Sequence, residues 1–339
     1  MTSPTFPHPI SVAPMMRRTD RHFRFLMRQI SNRTLLYTEM ITSGAIVHGH
    51  RERLLGFAPC EHPIALQVGG SDPDELALAA KIAEDFGYDE INLNVGCPSN
   101  RVQTGRFGAC LMKTPELVAT CVDKMIEAVD IEVTVKHRIG VDDIDSYEDM
   151  LRFVDTVSAA GCRRFTVHAR KAWLKGLSPS ENRNIPPLRH HEVHQLKRAR
   201  PHLVIETNGG VCSLDECQQH LEVVDAVMIG RAAYDNPFLF ADVDRRFYGC
   251  QAKPITRHDV VRSLVPHVDR WVAQGRGNLA QLTRHYLNLF KGQRGGRAWR
   301  RHLSENAWRD GATSQVLLDA LRLVPEDISE SYRASSGHG

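Results

Sequence analysis

The sequence lacks the features that mark membrane-spanning and secreted proteins. No run reaches the roughly 18 consecutive apolar residues that a spanning helix needs. The first residues, MTSPTFPHPISVAPMMRR, contain prolines and no basic stretch ahead of an apolar segment, so they do not resemble a signal peptide. We therefore expect no membrane span and a cytoplasmic location.

Spacings typical of metal sites, disulfide frameworks and common nucleotide sites are also missing. Eight cysteines are scattered through 339 residues without a CxxC pair, which predicts reduced thiols and no metal centre. No GxGxxG follows the first predicted strand, and no GxxxxGK is followed by Ser or Thr. A dinucleotide or nucleoside triphosphate site of the usual kinds is therefore not expected.

Charge is nearly balanced over the whole chain but not along it. The formal net charge is +3, yet residues 270–302 contain eight Lys or Arg and no Asp or Glu. Hydrophobic residues at 42% and charged residues at 24% are ordinary for a globular protein with a large core. A mildly acidic body with a basic segment near its end suggests a polyanionic partner.

Eight short, β-rich apolar runs recur along the first part of the chain, with helical patterns between several of them. The runs begin near Ile10, Leu35, Ile64, Glu90, Glu132, Arg164, Leu203 and Asp225. Alternating strands and helices in this number predict an α/β fold, a (β/α)8 TIM barrel, over residues 1–240. A doubly wound open sheet is the alternative.

The pattern changes after Asn236-Pro237, where the strand signals stop and helical spacing continues. This change predicts an all-helical C-terminal domain over residues 241–325 and a disordered tail over residues 326–339. Within the barrel, three helices have polar residues at the position expected for an N-cap. These predicted caps are Ser71, Thr114 and Ser146.

Polar side chains stand at or just past the carboxyl ends of the predicted strands, which meet around one mouth in a barrel. Lys136 and His168 offer a cation and a titratable imidazole that can stabilise negative charge on a reduced flavin or an enolate. The amides of Gln67 and Asn94 can pair with the edge of a flavin or pyrimidine ring. A lone lysine or histidine at a strand end is more often solvated or structural, so both interpretations stay open for each residue by itself.

Glycines follow the seventh and eighth predicted strands, where barrels often bind phosphate. Asn208, Gly209 and Gly210 follow the seventh strand, and Gly230 and Arg231 follow the eighth. A missing Cβ lets backbone N–H groups approach a phosphate, and Arg231 supplies a counter-charge. A Gly-Gly pair alone indicates only a turn with positive φ, so it is the placement that favours a phosphate site.

Cys97 follows the fourth predicted strand and precedes a proline that prevents the strand from continuing. A thiol with an ordinary pKa of about 8.5 is mostly protonated at neutral pH, so it can donate a proton. The remaining cysteines are interpreted as inert core residues, namely Cys60, Cys110, Cys121, Cys162, Cys212, Cys217 and Cys250.

From about residue 8 to 325 the chain resembles the tRNA-dihydrouridine synthases, and within them the A-type subfamily. The motifs that carry the resemblance are APMM (13–16), TEM (38–40), LQVGG (66–70), NLNVGCPS (92–99), GRFGACLM (105–112), VKHRIG (135–140), TNGGV (207–211) and MIGRAAYDNP (228–237). Two longer segments are specific to the A-type, VHARKAWLKGLSPSENRNIPPL (167–188) and KGQRGGRAWRRHLSENA (291–307).

The resemblance implies an FMN-containing barrel that reduces the 5,6 double bond of uridines in the tRNA D-loop, at positions 20 and 20a, with NADPH as hydride donor. It implies Cys97 as the proton donor and Asn94 as a contact to the base. The residues implied to hold FMN are Pro14, Met15, Met16, Gln67, Lys136, His168, Asn208, Gly209, Gly210, Gly230 and Arg231. Those implied to contact tRNA are Ser180, Glu181, Arg183, Arg297 and Arg300. No obligate protein partner is indicated.

Two other functions stay open from the sequence. An FMN barrel acting on a free pyrimidine, such as dihydroorotate, would use the same cofactor and bond, but it would not need the basic segment of residues 270–302. A non-catalytic RNA-binding protein built on the same barrel would lack the yellow colour of a bound flavin.

Overall fold

The computed structural model describes residues 7–251, 254–275 and 277–326. These residues form two compact units, one of residues 7–19 and 35–230 and the other of residues 20–34 and 231–326. The dividing point after Gly230 precedes the predicted boundary at residue 240, and residues 20–34 group with the second unit. Apart from Glu326, the tail predicted for residues 326–339 lies outside the described residues.

The first unit is a closed parallel barrel. Its strands are β1 (Ile10–Val12), β2 (Leu35–Tyr37), β3 (Ile41–Thr42), β4 (Ile64–Gly69), β5 (Glu90–Val95), β6 (Glu132–Arg138), β7 (Arg164–His168), β8 (Val204–Asn208) and β9 (Ala226–Ile229). Neighbouring strands pair in parallel from β4 to β9, β9 pairs with β1, and β1 with β2. The barrel closes because β2 also pairs with β4. The predicted (β/α)8 barrel is confirmed, and the open-sheet alternative is wrong.

The barrel strands are buried on both faces because one face packs inside the barrel and the other beneath the surrounding helices. Every residue of β4 (IALQVG) and of β5 (EINLNV) is buried. The short strand β3, which pairs with β4, was not predicted. Its two residues give too short a run for an alternation to be recognised.

Helices follow most of the barrel strands. Those of the first unit are α2 (Ser43–His48), α3 (Arg51–Leu55), α4 (Pro73–Asp85), α5 (Asn100–Thr104), α6 (Pro115–Ala128), α7 (Tyr147–Ala159), α8 (His190–Ala199) and α9 (Leu214–Leu221), with 3-10 turns at Pro59–Glu61, Gly108–Lys113 and Glu181–Arg183. None of the helices in the described ranges of the chain is long and apolar enough to cross a membrane.

Two of the three predicted helix caps lie where the sequence placed them. The Ser146 hydroxyl accepts from the Asp149 N–H at 3.0 Å, and the Asp149 carboxylate accepts from the Ser146 N–H, which forms a capping box. Thr114 precedes α6 without a side-chain hydrogen bond. The prediction of Ser71 is wrong, because Asp72 caps α4 by accepting from the Glu75 N–H at 2.8 Å.

The barrel core contains a charged cluster that the apolar strand pattern did not predict. Arg164 is fully buried and lies 2.6 Å from the Glu90 carboxylate and 3.4 Å from that of Glu206. The Tyr37 hydroxyl donates to Glu90 at 2.8 Å, and the Ser11 hydroxyl donates to Glu206 at 2.6 Å. These hydrogen bonds offset part of the desolvation cost of three buried charges.

The prediction that seven cysteines are inert core residues is wrong for four of them. Cys60 and Cys212 are exposed, and Cys110 and Cys250 are partly exposed, because they lie in short turns and loops rather than on buried faces. All eight thiols are free in the described chain. The buried ones are Cys121, Cys162 and Cys217.

Every regular element among the described residues of the second unit is a helix. This unit contains α1 (Arg21–Ile30), α10 (Arg231–Asp235), α11 (Val243–Tyr248), α12 (Arg257–Ala273), α13 (Ala280–Thr283), α14 (Gly296–Asn306) and α15 (Gln315–Arg322), and a 3-10 helix at Pro237–Asp242. Asp20 caps α1 by accepting from the N–H groups of His22 and Phe23, and its other oxygen lies 3.0 Å from His285 Nε2.

Candidate active site

The carboxyl ends of β4 and β5 bring two predicted amides together. Asn94 donates through Nδ2 to Gln67 Oε1 at 2.9 Å, and Gln67 donates through Nε2 to Asn92 Oδ1 at 2.8 Å. Both residues are buried. Each amide nitrogen has a second N–H, so both side chains keep a donor for a bound ring.

Cys97 stands on a tightly held loop that follows β5. Asn94 Oδ1 accepts from the Cys97 N–H at 3.0 Å and from the Gly96 N–H at 3.2 Å. The Cys97 carbonyl accepts from the Ala109 N–H at 2.9 Å. The thiol is partly exposed, and its Sγ lies 3.5 Å from the Ser99 hydroxyl. The backbone is thus fixed at three points while the thiol stays accessible.

Lys136, on β6, lies beside Asn208 at the end of β8. Its Nζ donates to Asn208 Oδ1 at 3.1 Å, and Asn208 Nδ2 donates to the Met228 carbonyl at 2.7 Å. Burial and, to a smaller extent, the nearby Arg138 guanidinium lower the pKa of Lys136 to about 8. Among the described residues no carboxylate forms an ion pair with Lys136. A lysine held in this way can accommodate a bound anion.

His168, at the end of β7, carries a polar atom that the protein does not satisfy. Its Nδ1 is buried and has no hydrogen-bond partner within the described part of the chain. Burial lowers the pKa of His168 well below its usual range, with Arg138 and Lys136 adding to the effect, so the ring is neutral. Because an unsatisfied buried polar atom costs free energy, it fits a ligand that supplies the missing partner.

The two glycines after β8 adopt backbone conformations that other residues rarely take. Gly209 has φ of 112° and Gly210 has φ of 77°. A Cβ at Gly209 would lie 3.3 Å from His168 Cε1, which places the turn against that imidazole. Gly230 differs, because a Cβ there would meet only the Ala13 Cβ, at an ordinary 3.7 Å. Arg231 is the first residue of α10 and of the second unit.

Three further residues implied to hold the cofactor follow β1. Met15 packs against a buried cluster that includes Tyr37 and Met228, and its N–H donates to the Thr19 hydroxyl at 3.0 Å. Pro14 is partly exposed, and Met16 is 56% exposed. Met16 is therefore free to contact a bound molecule.

Residues predicted to contact tRNA in the first unit lie on the long loop that follows β7. Ser180, Glu181 and Arg183 are exposed there, in or beside a 3-10 turn. The buried Asn182 between them fixes the loop, since its side chain accepts from the Trp173 N–H at 2.7 Å and donates to the Trp173 carbonyl at 2.9 Å. The Glu181 carboxylate is partly used within the turn, where it accepts from the Ser178 N–H.

Arg138 links this loop to the Cys97 loop, and the sequence did not single it out. Its Nε donates to the Gly96 carbonyl at 2.9 Å, while Nη1 donates to the carbonyls of Lys171 and Asn182, each at 3.0 Å. Gln103 bridges the same two loops. Arg138 lies in the motif VKHRIG, so its place two residues after Lys136 was the available signal.

In the second unit, α14 carries the predicted basic face. Arg297 and Arg300 are exposed, whereas Trp299 between them is fully buried and donates to the Tyr286 carbonyl at 3.0 Å. Arg300 Nη2 donates to Asn288 Oδ1 at 3.2 Å. The buried indole fixes the orientation of the helix, and the arginines face solvent.

The fold and the site define an α/β-barrel protein whose mouth, in the described residues, holds a buried lysine without an ion pair, an imidazole nitrogen without a hydrogen-bond partner and an accessible thiol. Residues 11–325 match the family model described as Dihydrouridine synthase (Dus). The chain belongs to the dihydrouridine synthase family, an oxidoreductase family whose members depend on flavin.

The chain is similar over most of its length to several proteins called tRNA-dihydrouridine(20/20a) synthase. One from a Synechocystis species is 58% identical over 93% of this chain and 94% of its own. One from Vibrio cholerae is 55% identical over 93% of this chain and 96% of its own. One from Escherichia coli is 55% identical over 93% of this chain and 95% of its own.

Proposed function

We propose that this protein reduces uridines in the D-loop of tRNA, at positions 20 and 20a, to dihydrouridine, with FMN as cofactor and NADPH as hydride donor. The proposal is supported by its relatives, which carry the name tRNA-dihydrouridine(20/20a) synthase at 54–58% identity. The observation that carries it is the meeting of Cys97, Lys136 and His168 at one barrel mouth.

The residues proposed to hold FMN are those that the resemblance implied. The backbone of Gly209, Gly210 and Gly230 would hold the phosphate, with Arg231 next along the chain as counter-charge. The unsatisfied Nδ1 of His168 and the buried Lys136, which has no ion pair in the described residues, support an anionic cofactor at the ends of β6 to β8. The other holding residues are Pro14, Met15, Met16, Gln67 and Asn208. The bound flavin supplies the hydride.

The protein itself supplies a proton and the orientation of the base. The Cys97 thiol donates its proton to the uracil carbon next to the one that receives hydride, which is general acid catalysis by a positioned group. Asn94 holds the Cys97 N–H through Oδ1 and keeps one N–H for the base. Lys136 would stabilise negative charge on the reduced flavin or on the base as it is reduced.

Phosphate contacts supply the binding energy for tRNA. A uridine must leave its stack to reach a barrel mouth, which costs a few kcal/mol. The proposed contacts are Ser180, Glu181 and Arg183 on the loop after β7, and Arg297 and Arg300 on α14. A tRNA substrate is consistent with the cytoplasmic location expected from the sequence. That location stays a prediction, and so do the absence of a metal and the absence of an obligate protein partner.

The experiment that tests the proposal compares three substrates with the purified, flavin-loaded protein. NADPH is mixed with unmodified tRNA, with free uridine or with orotate, the oxidised partner of dihydroorotate, and product is measured for each. Of the three mixtures, we expect product only in the one that contains tRNA. We also expect the protein to retain the same tRNA in a filter-binding assay. Turnover of a free pyrimidine without tRNA binding would replace the proposal with a free-pyrimidine oxidoreductase.

A further inference from the structure

Three histidines on α8 and α9 form a cluster that the proposed chemistry does not use. His194 Nε2 and His220 Nδ1 lie 3.0 Å apart, and the rings of His220 and His190 have centroids 4.4 Å apart. His190 Nδ1 lies 2.9 Å from the Thr207 hydroxyl, and its Nε2 lies 2.8 Å from the Gly209 carbonyl. The cluster therefore touches the glycine turn directly.

The partners of His190 fix its tautomer. A carbonyl oxygen can only accept, so Nε2 carries the proton and donates to Gly209. Nδ1 then accepts from the Thr207 hydroxyl. Burial, together with His220, lowers the pKa of His190 to about 4, which keeps the ring neutral at physiological pH.

This hydrogen bond sets the direction of the next N–H group. The peptide between Gly209 and Gly210 is trans, so its C=O and N–H point in opposite directions. Because the Gly209 carbonyl points to His190, the Gly210 N–H points away from it. No described residue accepts a hydrogen bond from that N–H. Likewise the Gly210 carbonyl accepts from Cys212 Sγ at 2.9 Å.

We propose that His190 is a positioning residue that aims the Gly210 N–H at the phosphate of the cofactor. The inference rests on the proposed function, which places that phosphate on Gly209 and Gly210. Because glycine has no Cβ, these two residues have more conformational freedom than other residues, so an external hydrogen bond is needed to hold one orientation of the peptide. The His220 ring packs against the His190 imidazole, and His194 in turn lies within hydrogen-bond distance of His220.

The test uses the full chain freed of flavin and two ligands that differ only in the phosphate. Quenching of flavin fluorescence gives the dissociation constants of FMN and of riboflavin. The variants are His190→Ala, His190→Gln, which returns an N–H donor near the position of Nε2, and Thr207→Val, which removes the hydroxyl that fixes the tautomer. His191→Ala is the matched control, because His191 is the next residue along the chain and its own side chain is 75% exposed.

We expect the wild type and His191→Ala to prefer FMN over riboflavin. His190→Ala should weaken FMN binding by about three- to tenfold, the worth of one hydrogen bond, and leave riboflavin binding unchanged. Thr207→Val should show a smaller loss in the same direction, and His190→Gln should recover part of the FMN affinity.

Equal losses for FMN and riboflavin, or no loss in His190→Ala and Thr207→Val, would overturn the positioning role while leaving the proposed function intact. A wild type that binds riboflavin as tightly as FMN would overturn both the phosphate assignment and the role of His190. If His190→Ala does not fold, His190→Gln and Thr207→Val give the same comparison.

Discussion

Cys97 combines a fixed backbone with an accessible thiol, so its substitution separates binding from proton transfer. Cys97→Ala should leave the flavin content and the oxidation of NADPH nearly unchanged. It should slow uridine reduction by about 10² to 10⁴, the usual worth of a general acid. Stopped-flow measurement of the two half-reactions checks this, with the exposed Cys60→Ala as control.

An equal loss in both half-reactions would return Cys97 to a structural role. The sequence predicted this residue from its place between β5 and Pro98. It could not predict the support from Asn94 and Ala109, because hydrogen bonds to backbone groups leave no pattern of residue types.

Lys136 gives the site a pH dependence whose sign follows from its environment. Burial holds its pKa at about 8, so in the flavin-free protein it is charged below that pH and neutral above it. An anion beside it favours the charged form and raises its pKa. FMN binding should therefore take up a proton near pH 8 to 9, and FMN affinity should fall as the pH rises above about 8.

Measuring the FMN dissociation constant at pH 7, 8 and 9 checks this expectation. Lys136→Met should bind FMN more weakly at pH 7 and show little change over the same range. A wild-type affinity that stays constant to pH 9 would mean that Lys136 does not face the anion.

At the scale of strands and helices, the sequence predicted where the elements lie along the chain better than it predicted the contacts between them. Eight apolar runs predicted the first residue of each of the eight barrel strands to within one residue, because parallel barrel strands are buried on both faces and give continuous apolar runs. The two residues of β3 were missed. Asp72, rather than Ser71, caps α4. The sequence could not choose between them, because both residue types suit the N-cap position.

Residues that connect elements were also missed. Arg138 and Asn182 link the loops after β5 and β7 through backbone carbonyls, and His190 links α8 to the turn after β8. These contacts join residues far apart in the chain. Strand and helix periodicity describes only neighbours along one element, so it could not indicate them.

The buried cluster of Arg164, Glu90 and Glu206 ties β5, β7 and β8 together inside the barrel. Arg164→Met would leave two buried carboxylates without their counter-charge. We expect a loss of about 3–5 kcal/mol in the free energy of unfolding, the cost of breaking a buried ion pair. Urea denaturation measures it, with Arg152→Met on the exposed side of α7 as the matched control.

The control should change the free energy of unfolding by less than about 1 kcal/mol, as expected for a surface ion pair. A similarly small loss in Arg164→Met would show that water or protonation relieves the buried glutamates.

For the whole molecule, the uneven distribution of charge is the feature that points to a nucleic acid. Residues 270–302 hold eight basic residues and no acidic ones, and Arg297 and Arg300 are exposed on α14. Arg297→Ala and Arg300→Ala should each weaken tRNA binding and lower the slope of log affinity against log salt by about one unit for each phosphate that is no longer neutralised. Flavin content should not change.

Affinities at three salt concentrations measure the slopes, and Arg152→Ala on α7 provides a control of the same charge change. An unchanged slope in both α14 variants would show that this basic face does not contact tRNA, and that its arginines serve only as a solvated surface over Trp299.

Mass spectrometry of tRNA fragments tests the central claim most directly. Unmodified tRNA is incubated with the flavin-loaded protein and NADPH and is then cleaved. The masses of the D-loop fragments are measured, and the fragments are sequenced. The account predicts a gain of two hydrogens on the uridines at positions 20 and 20a, and none when NADPH is omitted. Unchanged D-loop uridines, with a protein that retains its flavin and oxidises NADPH, would contradict it.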